Sequence, residues 1–363
     1  REAAMTAAPA SVAEMRAAVK AAVQEERKTY APPAAPTNVS AANLAPAILD
    51  ASVFCALDLP EKRTIIHPWV SEQGIVLLTG WRGTGKTWFV LLLLDAITRG
   101  QAFGPWKCET SVLCLYLDGE MAAQDVVERL RGIGGDPAGR LNPLYVYSDA
   151  YANTLGLPKA SLRDKEWRDA MKAQLLKLGV KLWVIDNIAS LTSGLDENSK
   201  QEWDVVNQWL LELRFAGIST ILLHHVGKGG DQRGTSGRED NIDISISLQK
   251  PQNYRAEEGA RFIVRFGKHR IRHRDLPLIQ DAEFQIAADQ AGRVTYTWGN
   301  AQRNTKTEIL RMLDDGVTQS EIAATLGISK AHVSQTRSSA MRDGLLGQNG
   351  KLTQAGFAMV FTE

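Results

Sequence analysis

The stretch GIVLLTGWRGTGKTWFVLLLLDAI, residues 74–97, decides the fold class of this 363-residue chain. Gly80, Gly85, Lys86 and Thr87 match the phosphate-binding pattern G-x-x-x-x-G-K-[ST]. An apolar run before the loop predicts a buried strand, and an apolar stretch after it predicts a helix. This order suits phosphate binding, because backbone N–H groups of the loop and the helix N-terminus then face the phosphates. The flanks disfavour the alternative, an ordinary glycine-rich turn.

The loop predicts a site for ATP and Mg²⁺. We expect Lys86 to reach the β- and γ-phosphates and Thr87 to hold Mg²⁺. The residues expected to bind the nucleotide are Gly80, Gly83, Thr84, Gly85, Lys86, Thr87 and Trp88.

Two further apolar runs end in carboxylates. KLWVIDNIASL, residues 181–191, places Asp186 at a strand end, where it would bind the water shell of the metal; a turn-forming Asp is the alternative. VLCLYLDGEM, residues 112–121, ends in Asp118, Gly119 and Glu120. A carboxylate there can polarise the water that attacks the γ-phosphate. We assign this role to Glu120, with Asp118 as a helix cap or as the alternative base.

A third strand end lies in STILLHHVGKGGDQRGTSG, residues 219–237. His224 and His225 fall where a polar side chain would sense the γ-phosphate, although a structural hydrogen-bonding role is the alternative. The glycine-rich part of the stretch carries Lys228 and Arg233. These cations suit a phosphate backbone, and a plain surface loop is the alternative.

Residues 261–274, RFIVRFGKHRIRHR, contain six lysines and arginines and no acid. We expect an alternating strand, in which Lys268 and Arg270 point to the same face because they are two positions apart. Ring ATPases often present cations to the nucleotide of a neighbouring subunit from a position like this one. A solvated, basic edge strand is the alternative.

Strand-like runs that alternate with helix-like segments predict an α/β fold with a mostly parallel sheet covered on both faces. Ligands of such sheets lie beyond the carboxyl ends of the strands, where these motifs fall. The composition divides the chain into an Ala/Pro-rich segment and linker (1–47), an ATPase domain (48–303) and a small C-terminal domain (304–363).

The C-terminal domain has helix-turn-helix spacing in EIAATLGISKAHVSQTRSSAM, residues 321–341. Ala323 would allow close helix packing, Gly327 the turn, and Val333 the core contact of the second helix. Ser329 is the expected N-cap of that helix. Asn349-Gly350 predicts a hairpin, which would make the domain a winged helix.

The sequence is compatible with two partners of this winged helix, duplex DNA and a replication protein. Its six lysines and arginines are balanced by six acids, whereas a DNA-reading domain is usually more basic. Lys330 and Arg337 lie in or beside the second helix and are the expected DNA contacts.

Composition sets wider bounds. The net charge of +1 favours no class of partner, and no apolar stretch has the length of a membrane span. The three cysteines have no metal-ligand spacing, which suits a reducing cytoplasm. Because the chain begins with Arg1, we expect a fragment or a processed product.

Residues 48–300 resemble a RecA-type hexameric replicative helicase, particularly the RepA-like group of mobile elements and more distantly DnaB. The resemblance rests on the order GWRGTGKT, LDGEM, WVIDN, LLHHVGKG and GKHRIR. It implies a homohexamer with single-stranded DNA in its channel and nucleotides between subunits. It also implies that Glu120 activates water, His225 is the sensor, Lys268 and Arg270 form a trans-acting finger, and Lys228 and Arg233 contact DNA or a subunit interface.

The function predicted from these motifs is an ATP-driven DNA helicase or translocase of a plasmid, phage or other mobile element. One alternative is a RecA-like recombination ATPase that forms filaments. The other is a DNA-binding regulator that ATP switches.

Overall fold

The computed structural model describes residues 44–134, 139–192, 200–225, 241–251, 254–326 and 328–361. The chain divides into two compact units, Arg1–Arg63 and Thr64–Glu363. The first contains a short helix, α1 (Ala51–Cys55), whose N-terminus is capped by the carboxylate of Asp50. The domain boundaries expected at residues 47 and 303 stay predictions.

The second unit contains twelve strands within its described residues. They are β1 (Thr64–His67), β2 (Val70–Ser71), β3 (Ile75–Gly80), β4 (Lys107–Cys108), β5 (Cys114–Asp118), β6 (Leu144–Ser148), β7 (Leu182–Asp186), β8 (Ser219–His225), β9 (Ile244–Gln249), β10 (Ala260–His269), β11 (Ala282–Ala288) and β12 (Val294–Asn300).

The α-helices of the second unit are numbered in chain order. They are α2 (Lys86–Arg99), α3 (Ala123–Gly132), α4 (Asp149–Thr154), α5 (Lys165–Leu178), α6 (Ile188–Leu191), α7 (Lys200–Phe215), α8 (Ala301–Asp314), α9 (Gln319–Leu326), α10 (Lys330–Arg342) and α11 (Gln354–Phe361).

A nine-stranded sheet forms the centre of the described structure, in the order β12-β11-β10-β9-β3-β8-β7-β5-β6. The six strands from β9 to β6 pair in parallel, and β10, β11 and β12 extend the sheet with antiparallel pairs. The predicted α/β fold with a mostly parallel sheet is therefore confirmed. A separate antiparallel sheet has the order β2-β1-β4.

Strand β3 shows how the core forms, because all six of its residues are buried. Val76 and Leu78 face the same core as Phe89 of α2. Ile75 and Leu77 face the opposite core, which α5 and α7 cover. Burial of each such side chain contributes about 1.5–3 kcal/mol. Helices packed on both faces of the sheet thus fix the position of β3 and of the loop at its carboxyl end.

The parallel register brings the functional strand ends to one edge of the sheet. Gly80, the last residue of β3, lies opposite His225 of β8. Asp118 of β5 lies opposite Asp186 of β7. Because β7 and β8 are neighbours, all four strand ends lie along the same edge.

The C-terminal helices form a helix-turn-helix with a core of its own. Ile309, Ile322, Ala323 and Val333 are buried together. The Ser329 hydroxyl accepts a hydrogen bond from the backbone N–H of His332 at 3.1 Å, which confirms the predicted N-cap of α10. Gly327 lies outside the described residues.

The hairpin predicted at Asn349-Gly350 is reduced to a single antiparallel bridge between Leu346 and Leu352. Helix α11 then comes next instead of a longer strand. Among the described residues, no helix has the length and the apolarity needed to cross a membrane.

Candidate nucleotide site

The predicted phosphate-binding loop joins β3 to α2. Gly83 and Gly85 have φ values of 71° and 106°, a region that side-chain-bearing residues rarely adopt. A Cβ on Gly85 would lie 2.9 Å from the Phe262 ring, so glycine is required there for two reasons. Thr84 is buried, and its hydroxyl donates to the carbonyl of Trp81 at 2.8 Å. These features fix the loop's backbone around the start of α2.

Lys86 is buried at the first position of α2. Its Nζ donates to the carbonyl oxygens of Gly80 at 2.7 Å and Trp81 at 2.8 Å, and it lies 2.9 Å from Nδ1 of His225. Burial lowers the pKa of Lys86 to about 8, although the carboxylates of Asp186 and Glu120 oppose the change. The lysine therefore has a desolvated ammonium at the loop, where a triphosphate would meet it.

The side chains of Thr87, in the first turn of α2, and Asp186, at the end of β7, are in contact. The Thr87 hydroxyl donates to Oδ2 of Asp186 at 2.7 Å, and the buried Tyr116 hydroxyl donates to the same oxygen at 2.9 Å. Burial raises the pKa of Asp186. Two donors therefore fix one carboxylate oxygen beside the threonine hydroxyl.

These oxygens fit Mg²⁺, which keeps several water ligands and needs only one or two carboxylates. The described residues contain no cluster of three or more His, Cys, Asp or Glu side chains suited to another metal. Nearby, Oδ1 of the buried Asp118 has no hydrogen-bond partner in the described structure. Thr87 and Asp186 would hold the metal, which would neutralise phosphate charge when bound.

The Asp118 carboxylate is oriented by backbone N–H groups that follow it, including that of Met121, which donates to Oδ2 at 3.0 Å. Burial raises the pKa of Asp118 to about 7, with a smaller contribution from Asp186. Because it is 1% exposed, it has poorer access to water than the side chain of Glu120, which is 54% exposed.

Glu120 lies at the end of a chain of polar contacts. Its Oε2 accepts a hydrogen bond from Nδ2 of Asn187 and lies 3.5 Å from Nε2 of His225. His225 in turn contacts Lys86. When Lys86 is charged it can only donate, so Nδ1 of His225 accepts and Nε2 carries the hydrogen toward Glu120. Burial and the nearby Lys86 charge lower the pKa of His225, which keeps the ring neutral.

The structure thus places Lys86, Thr87, Asp186, Glu120 and His225 together at one sheet edge. Trp88, predicted to bind nucleotide, instead packs its side chain against the core, and the Arg129 guanidinium lies 5.2 Å from its ring centre. The nucleotide contact of Trp88 stays a prediction.

Lys268 and Arg270 are not part of this cluster. Gly80 lies beside Leu248 of β9, whereas Lys268 donates its backbone N–H to Ser245 at 2.8 Å. Leu248 and Ser245 are three residues apart along β9, so Gly80 and Lys268 are separated by roughly 10 Å along the strand direction. Arg270 pairs with Asp243 at 3.2 Å, at the level where β3 begins. Both cations therefore lie toward the opposite end of the strands from their own phosphate-binding loop.

The expectation that Lys268 and Arg270 share a strand face is wrong. The register of β10 shifts between Phe266 and His269, and the strand ends at His269, so Arg270 lies outside it. A period of two holds only within a regular strand.

The described residues include two of the four predicted DNA contacts. Lys228 and Arg233 lie outside the described residues. Lys330 is the first residue of α10 and is exposed, whereas Arg337 of the same helix is half-buried. The DNA-binding role of all four residues stays a prediction.

Two residues of the cluster were missed by sequence reasoning. Tyr116 and Asn187 contact Asp186 and Glu120, respectively. Asn187 directly follows Asp186, but its role depends on the neighbouring position of β5 and β7, and the sequence alone does not order the strands.

The fold and this site define a P-loop ATPase with a mostly parallel central sheet and a C-terminal helix-turn-helix. An AAA-domain family model matches residues 44–231, more than half of the sequence, and the chain belongs to that family. A homeodomain-like domain model matches residues 301–347.

Among solved structures, the chain is similar to a KaiC-like protein from the hyperthermophilic archaeon Pyrococcus horikoshii OT3. The two share 18% sequence identity with a TM-score of 0.41, over 66% of this chain and 98% of that one. No curated protein matches the chain.

Proposed function

We propose that the chain is an ATP-driven DNA helicase or translocase of a mobile element. The observation that carries the ATPase part is the convergence of Lys86, Thr87, Asp186, Glu120 and His225 at the edge of the sheet. Lys86 binds the β- and γ-phosphates, and Thr87 and Asp186 hold Mg²⁺.

In the proposed reaction, Glu120 orients a water and takes its proton as the water oxygen bonds to the γ-phosphorus. The bond from that phosphorus to the bridging oxygen breaks, and ADP leaves with the electron pair. Glu120 suits this task because its carboxylate is accessible to water, whereas that of Asp118 is buried. His225 contacts both Lys86 and Glu120 and would report the state of the γ-phosphate.

The position of Lys268 and Arg270 supports action between subunits. They lie toward the far end of the strands from their own loop, so a phosphate that they contact belongs to another copy of the chain. A closed homohexameric ring supplies such a neighbour at every site. Single-stranded DNA in the channel would contact Lys228 and Arg233, and the helix-turn-helix would bind duplex DNA or a replication protein.

Hydrolysis is tested first. Glu120→Gln should retain ATP binding but lose most turnover, because the amide cannot accept the proton, whereas Lys86→Ala should weaken binding itself. Equilibrium binding of a fluorescent ATP analogue and phosphate release measure the two effects. Hydrolysis at the parent rate by Glu120→Gln would transfer the base role to Asp118.

DNA unwinding is tested second, by strand displacement from a forked duplex with and without ATP and Mg²⁺. Closed rings in electron micrographs with strand displacement support the helicase. Open, DNA-dependent filaments support the recombination ATPase. ATP hydrolysis without displacement, together with ATP-dependent duplex binding, supports the regulator.

A further inference from the structure

Asn187 lies at the centre of the polar contacts of the site, and the proposed reaction gives it no task. It is 1% exposed and caps the N-terminus of α6, where its Oδ1 accepts from the backbone N–H of Ser190 at 3.1 Å. The Ser190 hydroxyl donates back to the Asn187 carbonyl at 2.9 Å. These two bonds and the surrounding core fix the direction of the Asn187 amide.

The other end of this amide faces the site. Nδ2 of Asn187 donates to Oε2 of Glu120 and lies 3.0 Å from Nε2 of His225. The Glu120 side chain is long, exposed over 54% of its surface, and within the described structure its carboxylate meets only these two side chains. The rigid amide is therefore the stronger restraint on a carboxylate that would otherwise sample several rotamers.

We propose that Asn187 is a positioning residue that holds the Glu120 carboxylate where it can take the proton of the attacking water. This inference rests on the proposed function, since it requires Glu120 to be the base. A base displaced by about 1 Å costs on the order of 10²-fold in rate, so an amide that fixes one oxygen has a large effect without touching the substrate.

Capping α6 and positioning Glu120 predict different effects of substitution. Two substitutions of Asn187 can therefore separate these roles. Serine, aspartate and asparagine are about equally good N-caps. Asn187→Ser keeps an acceptor for the N-terminus of α6 but is too short to reach Glu120. Asn187→Ala removes both functions. If capping is the only role, serine should rescue; if positioning matters, serine should fail.

The experiment measures kcat, KM, nucleotide affinity and melting temperature for the full chain. We expect Asn187→Ser to melt close to the parent, to bind the ATP analogue within about twofold of it, and to lose about 10²-fold in kcat at a similar KM. Asn142→Ser is the matched control, because the Asn142 amide donates to Ser111 at 2.9 Å, away from the site. It should leave kcat unchanged.

The proposal also predicts coupling. In a Glu120→Gln background, Asn187→Ser should cause little further loss, because the group that it positions is already disabled. Parental kcat in Asn187→Ser, or an equal loss in both backgrounds, would overturn the proposal. If serine proves too destabilising, Asn187→Thr replaces it, since threonine is also a favourable N-cap, is uncharged and lacks the amide donor. A parent chain that does not hydrolyse ATP refutes the proposed function instead, before Asn187 is tested.

Discussion

The buried ammonium of Lys86 predicts that nucleotide affinity depends on pH well below the usual lysine range. Burial lowers the pKa of Lys86 from 10.5 to about 8. If only the charged form binds the triphosphate, about nine tenths of the sites are competent at pH 7 and about one tenth at pH 9. Affinity should therefore fall about tenfold between pH 7 and 9. An ordinary lysine would show no fall in this range.

The assay is equilibrium titration with a fluorescent ATP analogue at constant free Mg²⁺, from pH 6.5 to 9.5. Burial lowers the pKa of His225 below its usual value and raises that of Asp118 to about 7, so the fall in affinity above pH 8 reports Lys86. Lys86→Arg is the control, since arginine stays charged throughout. Its affinity is expected to be lower but independent of pH. A flat profile for the parent, or the same fall in Lys86→Arg, would refute the reasoning.

Two further perturbations test neighbouring features. The pKa of Asp118 is raised to about 7, so the folded state binds more protons than the unfolded state between about pH 4 and 7, and stability is lost as pH rises through that interval. Asp118→Asn should therefore raise the melting temperature more at pH 8 than at pH 5, as calorimetry can show; an equal effect at both values contradicts this. Arg270→Ala should assemble and bind ATP but hydrolyse it poorly, by about 10³-fold or more if it is a finger. Mixed with Lys86→Ala it should recover part of the activity, and mixed rings without recovery would argue against action between subunits.

Local features of the site were predictable because they depend on neighbours in sequence. The glycines of the loop, the position of Lys86 at the start of α2 and the strand-terminal Asp186 each follow from a short pattern with an apolar flank. The proximity of His225 to Lys86 was also predictable, because the carboxyl ends of parallel strands share one edge.

Features that depend on strand order or on local irregularity were not predictable. Tyr116 reaches Asp186 only because β5 lies beside β7, and no pattern within either strand specifies that pairing. The position of Lys268 along the strands, far from the phosphate-binding loop, depends on the antiparallel pairing of β10 and on its register shift. In the sequence, Asn187 is an ordinary polar residue after a strand, and only the folded structure shows its contact with Glu120.

The junction between the sheet and the C-terminal helices has a geometric consequence. Strand β12 ends at Asn300, and α8 begins at Ala301 without an intervening residue. Ala301 is buried, and its backbone N–H donates to Asp281 at 2.9 Å. Every added or deleted residue early in α8 would rotate the downstream helices by about 100° and shift them by about 1.5 Å. The direction of α10 around the axis of α8 is thus set by the number of residues in α8. Among relatives, the length of α8 should therefore vary far less than its sequence.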